Sequence, residues 1–290
     1  MSLNFDRLMN FRLGPITTLL TPRDTILYAL GIGYGYDPLD EAQLRFVNEK
    51  TLLAAPTMAV VVGAGPWLLD DPEFGVTRTG LVHGEQGFSM HRPMPGEGPI
   101  SVETRVTEVI DKGAGKGALV VSETTLTDPR DQARVATISS TSFCRADGGF
   151  DGPRTVLNPT APATPTPERA ADIVCDLPTV PQAALIYRLA GDYHALHIDP
   201  QFARAAGFDR PILHGRCTFG IAGHALLRSC CDYDPSRLEA MACRFSAPVY
   251  PGETVRTEIW RDRNQARFRS SVPARGVVVL TNGQAEIRGI

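Results

Sequence analysis

A carboxylate and an imidazole lie close together in one polar loop of this sequence. Asp192 and His197 are five residues apart, and apolar residues flank them at Leu189, Leu196 and Ile198. A neutral histidine is a ready base near pH 7 because its ordinary pKa is about 6.5. An aspartate has an ordinary pKa of about 3.9, so it donates a proton only where burial raises that value. The pair therefore predicts general acid and base catalysis, in which each positioned proton transfer contributes roughly 10²–10⁴-fold.

A glycine at the predicted start of a helix follows this loop. The residues from Pro211 to Gly215 form a turn, and an apolar helical segment runs from Arg216 to about Cys230. The N–H groups of a first helical turn have no partner inside the helix, and the helix dipole is positive at that end. Gly215 therefore predicts an amide that stabilises a carbonyl oxygen as it becomes an enolate. The missing side chain also lets a substrate approach closely.

Three histidines in the same stretch also permit a metal-binding interpretation. His194, His197 and His214, together with one carboxylate, supply enough ligands for a metal ion. The loop spacing His-x-x-His is weak evidence for such a site, so we expect no metal ion there. His214 itself is compatible either with a structural position or with a contact that supports a catalytic residue.

Other residues of this stretch have simpler interpretations. Asp199 precedes Pro200 and a short helix that ends at Gly207, so it is expected to cap that helix. His224 lies in the middle of the long helix and is expected to pack in the core. Cys217 could act as a nucleophile only if the helix start lowered its pKa, and a small buried cysteine is the alternative.

The composition is typical of a globular protein without a polyanionic partner. The chain has 290 residues, of which 43% are hydrophobic, and a formal net charge of -3. No run of five like charges occurs, which argues against nucleic acid and anionic membrane surfaces as partners. No stretch approaches the ~20 apolar residues of a membrane span, and no signal peptide is recognisable. The six cysteines lack metal-binding spacing and are expected to be reduced, so a cytoplasmic location is predicted.

Proline and glycine divide the chain into two halves. Residues 147–167 carry three Gly and five Pro and form a predicted linker between domains at 1–146 and 168–290. A short helix is predicted over 25–30, and 51–65 fit either a buried helix or a strand. In each half, four segments rich in Val and Thr predict an antiparallel meander. These segments are 81–91, 100–110, 118–128 and 133–145, then 239–249, 254–261, 266–272 and 277–287.

The order of sequence features indicates that the second half duplicates the first. Tyr28-Ala-Leu corresponds to Tyr187-Arg-Leu, and a Pro-Gly-Glu turn follows each at a nearly equal distance. Chance recurrence of such turns is the alternative, and the matched distances favour duplication. Two α+β units with joined sheets are therefore predicted. Gly33 stands where the second half has Asp192, so we expect the chemistry in the second half alone.

The catalytic stretch closely resembles one known family. Its motif is Gly191-Asp192-x-x-x-Leu196-His197-Ile198-Asp199-Pro200, followed by Ala206-Gly207-Phe208-x-x-Pro211-Ile212-Leu213-His214-Gly215-x-Cys217-Thr218. The first half adds Tyr28-Ala29-Leu30-Gly31-Ile32-Gly33 and Leu81-Val82-His83-Gly84-Glu85-Gln86. These motifs resemble the MaoC-like (R)-specific enoyl-CoA hydratases, which include the hydratase domain of the peroxisomal multifunctional enzyme. The resemblance covers nearly the whole chain and implies an α+β double hot-dog fold, with two repeats that each wrap an antiparallel sheet around a central helix.

Residue by residue, the resemblance also implies a site. The family's acid–base pair corresponds to Asp192 and His197, and its oxyanion amide corresponds to Gly215. Its acyl-CoA contacts correspond to the remaining predicted substrate-binding residues, which are His83, Gly84, Lys112 and Phe245. The family usually has Asn where this chain has His194, whose ring offers a donor and an acceptor from opposite edges. His194 is therefore expected to hold the substrate or the water with a hydrogen-bond geometry that differs from that of the family's Asn.

The resemblance implies a homodimeric enzyme for an acyl-CoA substrate. The implied reaction is reversible syn hydration of a trans-2-enoyl-CoA to a (3R)-3-hydroxyacyl-CoA, without a metal or redox cofactor. His197 would activate water, and Asp192 would exchange the proton at Cα. Two alternatives belong to other classes of substrate or protein. One is a dehydratase for a 3-hydroxyacyl-ACP or for a specialised branched or dicarboxyl acyl-CoA, and the other is a non-catalytic acyl-thioester-binding protein.

Overall fold

Ten strands of the described residues form a single antiparallel sheet. The computed structural model describes residues 3–62, 69, 71–161 and 166–289. The strands are β1 (Arg12–Leu20), β2 (Leu81–Met90), β3 (Gly98–Asp111), β4 (Ala118–Thr127), β5 (Arg134–Cys144), β6 (Ile173–Pro178), β7 (Leu238–Phe245), β8 (Thr254–Asp262), β9 (Gln265–Val272) and β10 (Val277–Ile287). The α-helices are α1 (Phe5–Met9), α2 (Pro22–Gly31), α3 (Glu41–Leu44), α4 (Ala59–Val62), α5 (Ala183–Tyr187), α6 (Pro200–Ala205) and α7 (Gly215–Cys230). Short 3-10 turns occupy Pro56–Met58, Pro72–Phe74, Arg78–Gly80, Arg188–Ala190, Ala195–His197, Pro235–Arg237 and Pro273–Arg275.

The strand order has a twofold pattern that agrees with the predicted duplication. Across the sheet the order is β1-β3-β4-β5-β2-β7-β10-β9-β8-β6. The first five strands and the last five therefore have the same connectivity in mirrored order. At the centre, β2 pairs with β7 from Glu85↔Arg244 to Ser89↔Ala240. The two halves join their sheets into one, as predicted for an α+β double hot-dog fold.

The structure corrects the predicted sheet in two respects. Each half has a fifth strand, β1 or β6, that the sequence did not indicate, and these strands form the two outer edges of the sheet. Most β1 residues are exposed, so this strand lacks the alternation that marks a half-buried segment. The predicted four-strand meanders are limited to β3-β4-β5 and β8-β9-β10. In the first half β2 crosses over to pair with β5 and β7, and in the second half β7 pairs with β10 and β2.

The remaining predicted elements are close to their expected positions. The eight predicted strands coincide with β2–β5 and β7–β10 within a few residues at either end. The helix predicted at 25–30 is part of α2, and 51–65 are helical over Pro56–Met58 and α4, whereas 63–65 lie outside the described residues. The linker has neither helix nor strand in its described part, which excludes 162–165. Within the described ranges, no helix is long and apolar enough to cross a membrane.

The longest described helix, α7, runs through the core and contacts both repeats. All of its residues from Cys217 to Leu227 are buried. Two glycines allow the close approach to the first repeat. A Cβ on Gly220 would lie 2.5 Å from Ile32 Cγ2, and one on Gly223 would lie 2.4 Å from Thr57 Cγ2. Close packing leaves no room for larger side chains at these positions, so the N-terminus of α7 is held in a defined place.

The first repeat has a related helix start with different chemistry. Ala55 (φ -68°, ψ 135°) leads into the turn Pro56–Met58, and His214 (φ -58°, ψ 137°) leads into α7 in nearly the same conformation. The first helical position is Pro56 in one repeat and Gly215 in the other. Proline has no backbone N–H, so the first repeat cannot donate an amide to a ligand there. The repeats share a backbone geometry, and the second presents the amide donor.

Candidate active site

The predicted acid and base lie in a loop between α5 and α6. Gly191 has a φ of 121°, which lets the chain turn sharply after the 3-10 turn Arg188–Ala190. Further along, Nδ1 of His194 accepts a hydrogen bond from the Leu196 N–H at 3.3 Å and so caps the turn Ala195–His197. The loop that carries the predicted acid and base is therefore held at both ends by its local backbone structure.

The imidazole of His197 has a defined tautomer. Its Nδ1 lies 2.8 Å from the main-chain oxygen of Ile212, and a carbonyl oxygen only accepts hydrogen bonds. Nδ1 therefore carries the proton, and Nε2 presents a lone pair. The residue is 9% exposed, and burial lowers its pKa although the bond to Ile212 opposes this. A neutral imidazole with an acceptor nitrogen is the form that a general base requires.

Asp192 lies beside His197 as a carboxylate. One carboxylate oxygen of Asp192 and one ring nitrogen each of His197 and His214 lie within 4.8 Å of one another. Burial alone would raise the pKa of the Asp192 carboxyl, but His214 and His197 act against burial. The charge of Arg216 and the His194 N–H, 3.3 Å from Oδ1, act in the same direction, so the pKa lies below its ordinary value. A water molecule with hydrogen bonds of about 2.8 Å can bridge the carboxylate and His197.

His214 contacts both members of the predicted pair. Its ring stacks on that of His197, with the centroids 3.7 Å apart and an angle of 26° between the planes. Its Nε2 lies 3.0 Å from the main-chain oxygen of Asp192. The side chain is fully buried, and burial lowers its pKa to about 3. Of the two interpretations left open for this residue, the structure supports the contact to catalytic residues.

Gly215 connects this cluster to a surface of aromatic rings. It is the first residue of α7, so its N–H has no partner inside the helix. A Cβ at this position would lie 3.4 Å from Cε1 of Phe245, which covers the glycine. Phe245 packs against His83 with ring centroids 4.6 Å apart. Three predicted site residues, Gly215, Phe245 and His83, thus form a continuous surface from α7 across β7 to β2.

His83 and Gly84 lie where β2 departs from regular pairing. The register with β5 shifts between His83 and Glu85, so Gly84 is the extra residue of a bulge. A Cβ on Gly84 would lie 3.1 Å from the Thr141 main-chain oxygen, which favours glycine here. Nε2 of His83 is joined to Ser140 Oγ by a hydrogen bond of 3.0 Å. A bulge changes the direction of the neighbouring side chains. This bulge lies next to His83, whose ring contacts the aromatic surface.

Lys112 lies on a turn, as predicted, but outside this cluster. It directly follows β3, and it is exposed. Successive cross-strand partners connect the end of β3 to the start of β2, and they are Asp111, Ala118, Cys144 and Leu81. Three strand spacings of about 4.8 Å place this turn ~14 Å from the start of β2. Lys112 can therefore reach only the distant part of a long ligand that contacts His83.

Arg216 and Gln86 make a polar contact that the sequence reasoning missed. Nε of Arg216 donates a hydrogen bond to Oε1 of Gln86 at 3.4 Å. Burial has the largest effect on the pKa of His83, and the charge of Arg216 adds to it, so the pKa falls to about 3. The contact joins residues 130 positions apart, which no local pattern reveals. The one sequence feature that could have indicated a role for Arg216 is its charge directly after Gly215.

The acid–base cluster is also the one group of potential metal ligands found among the described residues. His194, which the metal interpretation included, is not part of this group. The rings of His197 and His214 are stacked 3.7 Å apart and nearly parallel, so their in-plane lone pairs do not converge on one point. Zinc requires ligands that converge at about 2.0–2.1 Å. The donor set therefore fits a metal ion poorly, and a site without a metal stays our prediction.

The neighbouring residues agree with their simpler interpretations. Asp199 caps α6, and its Oδ1 accepts a hydrogen bond of 2.7 Å from a first-turn N–H. His224 is buried in α7, and its Nδ1 donates to the main-chain oxygen of Ile32 at 3.2 Å. Cys217 is fully buried with its thiol 3.2 Å from the Gly31 oxygen, and burial raises its pKa. A nucleophilic cysteine needs a lowered pKa, so Cys217 is a core residue.

Comparison with known proteins gives matches over both halves. Residues 19–146 match the family described as MFE-2 hydratase 2 N-terminal domain, and residues 162–283 match the MaoC like domain. The 3-hydroxyacyl-thioester dehydratase Y of Mycobacterium tuberculosis is 40% identical over 283 residues, which cover 92% of this chain and 92% of that protein. The peroxisomal enoyl-CoA hydratase 2 of Arabidopsis thaliana is 35% identical, with coverage of 99% and 96%. A crystal structure of a MaoC-like dehydratase from Phytophthora capsici superimposes with a TM-score of 0.84 at 32% identity, covering 97% of this chain and 98% of that one. The chain therefore belongs to the MaoC-like hydratase 2 family.

Proposed function

We propose that this protein catalyses the reversible, (R)-specific hydration of a trans-2-enoyl-CoA to a (3R)-3-hydroxyacyl-CoA. The observation that carries the proposal is the cluster of Asp192, His197 and His214, because His214 directly precedes Gly215, the first residue of α7. Hydration needs a base for water, a proton for Cα and a donor for the thioester oxygen, and His197, Asp192 and the Gly215 N–H supply one each. The family relatives named as an enoyl-CoA hydratase and as a 3-hydroxyacyl-thioester dehydratase support the proposal, since those names describe opposite directions of such a reaction.

In the hydration direction, the reaction begins with a water molecule between His197 and Asp192. Nε2 of His197 accepts a proton from the water while the water oxygen bonds to Cβ of the enoyl thioester. The electron pair of the double bond moves towards the thioester oxygen, and the Gly215 N–H stabilises the enolate. Asp192 is ionised at the start because its pKa is low. Protonated His197 therefore passes the proton taken from the water to Asp192, which then delivers it to Cα.

The position of the two groups accounts for the syn addition that we propose. Asp192 and His197 lie in one loop, so the hydroxyl group and the proton reach the double bond from the same face. The product of the cycle carries the water's hydroxyl on Cβ and its proton on Cα, and the cluster returns to its initial protonation state. Dehydration follows the same steps in reverse, because both directions share one transition state.

We assign the acyl-CoA contacts to the surface formed by Phe245, His83 and Gly84. The Phe245 ring covers Gly215 and packs against the His83 ring, which supports a contact of both rings with a bound thioester. Lys112 carries a positive charge ~14 Å further along the sheet, a distance suited to the phosphates of CoA. His194 uses Nδ1 as an acceptor for the Leu196 N–H, so Nε2 carries its proton. Towards substrate or water this ring acts as a donor, which distinguishes it from an Asn amide.

The proposal is tested by adding trans-2-butenoyl-CoA to the purified protein and following the loss of enoyl absorbance. The configuration of the 3-hydroxybutanoyl product is then determined by chiral chromatography after hydrolysis. We expect loss of the enoyl group and a 3R product. A correctly folded protein that leaves the substrate unchanged, or that makes the 3S product, would contradict the proposal. A panel of longer and branched enoyl-CoA thioesters, with one acyl-carrier-protein thioester, then defines the acyl group and carrier.

The pH dependence of the reaction is expected to have its acid limb below pH 6.5. Hydration requires neutral His197 and ionised Asp192, and the pKa values of both groups are lower than their ordinary values. Activity should therefore still exceed half of its plateau value at pH 6.5 and should reach half only below that pH, as His197 becomes protonated. The measurement is kcat/KM from pH 4.5 to 9, with recovery of activity on return to pH 7.5 as the control for unfolding. A half-maximal value above pH 6.5 would show that His197 is not the base in the form described.

Three further expectations stay predictions of this proposal. They are a homodimer, a cytoplasmic location and a site that uses neither metal nor redox cofactor. Sedimentation of the purified protein tests the first of these. Retention of hydratase activity after exhaustive treatment with a chelator tests the third.

A further inference from the structure

His214 is bonded to one member of the acid–base pair and stacked on the other. Its Nε2 donates a hydrogen bond of 3.0 Å to the main-chain oxygen of Asp192, because that oxygen only accepts. Its ring lies on the His197 ring with a centroid separation of 3.7 Å. Tyr187 closes its surroundings from a third side, with a centroid separation of 5.0 Å. His214 precedes the first residue of α7, so these contacts connect the loop to the core helix.

The loop is held at both ends, but few hydrogen bonds to Asp192 itself occur among the described contacts. Gly191 precedes Asp192 with a φ of 121°, a conformation that glycine adopts without cost. Among the described contacts, the Asp192 side chain accepts a hydrogen bond from the His194 N–H at 3.3 Å, which is the long end of the usual range. The bond from His214 is therefore the contact that ties the Asp192 main chain to the rigid part of the fold.

We propose that His214 is a positioning residue for the hydration reaction, which holds the Asp192 main chain and the His197 ring at their working distance. The inference rests on the proposed function for its kinetic consequences, and its structural consequence is independent of that function. A catalytic group displaced by about 1 Å can lose on the order of 10²-fold in rate. The contacts of His214 act on both groups at once.

His214 is not a proton carrier in this arrangement. Nε2 donates to Asp192, so Nδ1 is the unprotonated nitrogen, and this atom is buried without a hydrogen-bond partner among the described residues. Protonation of Nδ1 would create a buried cation. Burial, followed by the neighbouring charges of His197 and Arg188, opposes this and lowers the pKa, while Asp192 favours the cation. His214 therefore acts as a neutral group that holds its neighbours in place.

The chain contains a closely matched control for His214. His224 is also buried in α7, donates a hydrogen bond to a main-chain oxygen, that of Ile32, and stacks on an aromatic ring, that of Tyr34, at 3.8 Å. It has no place in the site described above. His214→Phe and His224→Phe therefore each remove a hydrogen bond to a main-chain oxygen, the first directly before α7 and the second within it, while both keep a flat ring. His224→Phe also removes a bond to the Tyr233 hydroxyl. His214→Gln keeps a donor for the Asp192 oxygen and loses the ring.

We expect His214→Phe to lower kcat by about 10–100-fold, with KM changed by less than about threefold and no shift of the acid limb to higher pH. His214→Gln should recover part of that loss because its amide can donate to Asp192. His224→Phe should keep the kcat of the parent protein per folded molecule, as measured after thermal unfolding curves have fixed the folded fraction. If His214→Phe and His224→Phe have equal kcat, or if His214→Phe changes KM alone, the inference is overturned.

A structural measurement tests the inference without reference to activity. Crystal structures of the two Phe variants are compared at the loop from Gly191 to His197. We expect the Asp192 carboxylate to move relative to His197 in His214→Phe and to stay in place in His224→Phe. An unmoved Asp192 in His214→Phe would overturn the inference even if the protein had no hydratase activity. If His214→Phe does not fold, His214→Gln supplies the same comparison, since it should keep Asp192 in place and release the His197 ring.

Discussion

Replacing Asp192 with Asn, or His197 with Gln, is expected to lower kcat for enoyl-CoA hydration by roughly 10²–10⁴-fold. Each variant keeps the approximate size of the side chain and removes its capacity to carry a proton. His197→Gln leaves the water without a base, and Asp192→Asn leaves Cα without a proton source. The measurement is steady-state hydration of trans-2-butenoyl-CoA at pH 7.5, and KM should change far less than kcat because neither group has been assigned to CoA binding.

Asp192→Asn should also change the pH profile of the activity that remains. The negative charge of Asp192 raises the pKa of His197, although burial has the larger effect and lowers it. Without that charge, the pKa of His197 falls further, so the acid limb moves to lower pH. A limb that moved to higher pH would contradict the assigned electrostatics.

Two matched variants control for effects on the fold. Asp199→Asn replaces the same residue type in the same region, and Asn is an equally good helix cap, so α6 should persist. His91→Gln changes an exposed histidine whose Nε2 is joined to Thr137 on the sheet. Both should keep the parent kcat. If Asp192→Asn and His197→Gln stay within about tenfold of these controls, neither residue carries the proton transfer that is worth 10²-fold or more.

Local sequence patterns were sufficient for most elements of the fold. Eight strands could be predicted because β-branched residues alternate with polar ones between turns that contain Gly or Pro. The helices α6 and α7 could be predicted from Asp199-Pro200 and from the turn before Gly215. The edge strands β1 and β6 could not, because exposure on both faces or a length of six residues leaves little periodicity. The strand order could not be read either, since pairings such as β2 with β7 join distant segments.

The candidate site was predicted where the motif is local and was missed where its contacts are long-range. Asp192 and His197 belong to one loop, so sequence spacing was enough to place them together. His214 acts on them through a bond to a main-chain oxygen 22 residues away, and any residue type supplies such an oxygen. Arg216 reaches Gln86 in the other repeat. Contacts of these two kinds depend on the folded path of the chain, and residue type alone carries no signal for them.

Gly215→Pro is expected to lower kcat by about 10²–10³-fold while leaving the fold intact. The first repeat already has this residue in this place, since Pro56 begins the corresponding helical turn. Proline is favoured at a first helical position, and His214 has the extended backbone that a residue before proline requires (φ -58°, ψ 137°). The substitution removes one N–H, so a loss of kcat with unchanged thermal stability would follow from the lost stabilisation of the enolate oxygen.

Gly215→Ala separates the missing amide from the added bulk at this position. Alanine keeps the N–H, and its Cβ would lie 3.4 Å from Cε1 of Phe245, which is an ordinary contact distance. Its activity should therefore exceed that of Gly215→Pro by at least about tenfold, because one oxyanion donor is worth 10²–10³-fold. If the two variants were equally impaired, crowding against Phe245 or the substrate would explain the loss, and the amide of Gly215 would not be the oxyanion donor. If Gly215→Pro kept full activity, catalysis would not need the Gly215 N–H. The proposed functional difference between Pro56 and Gly215 would then be wrong.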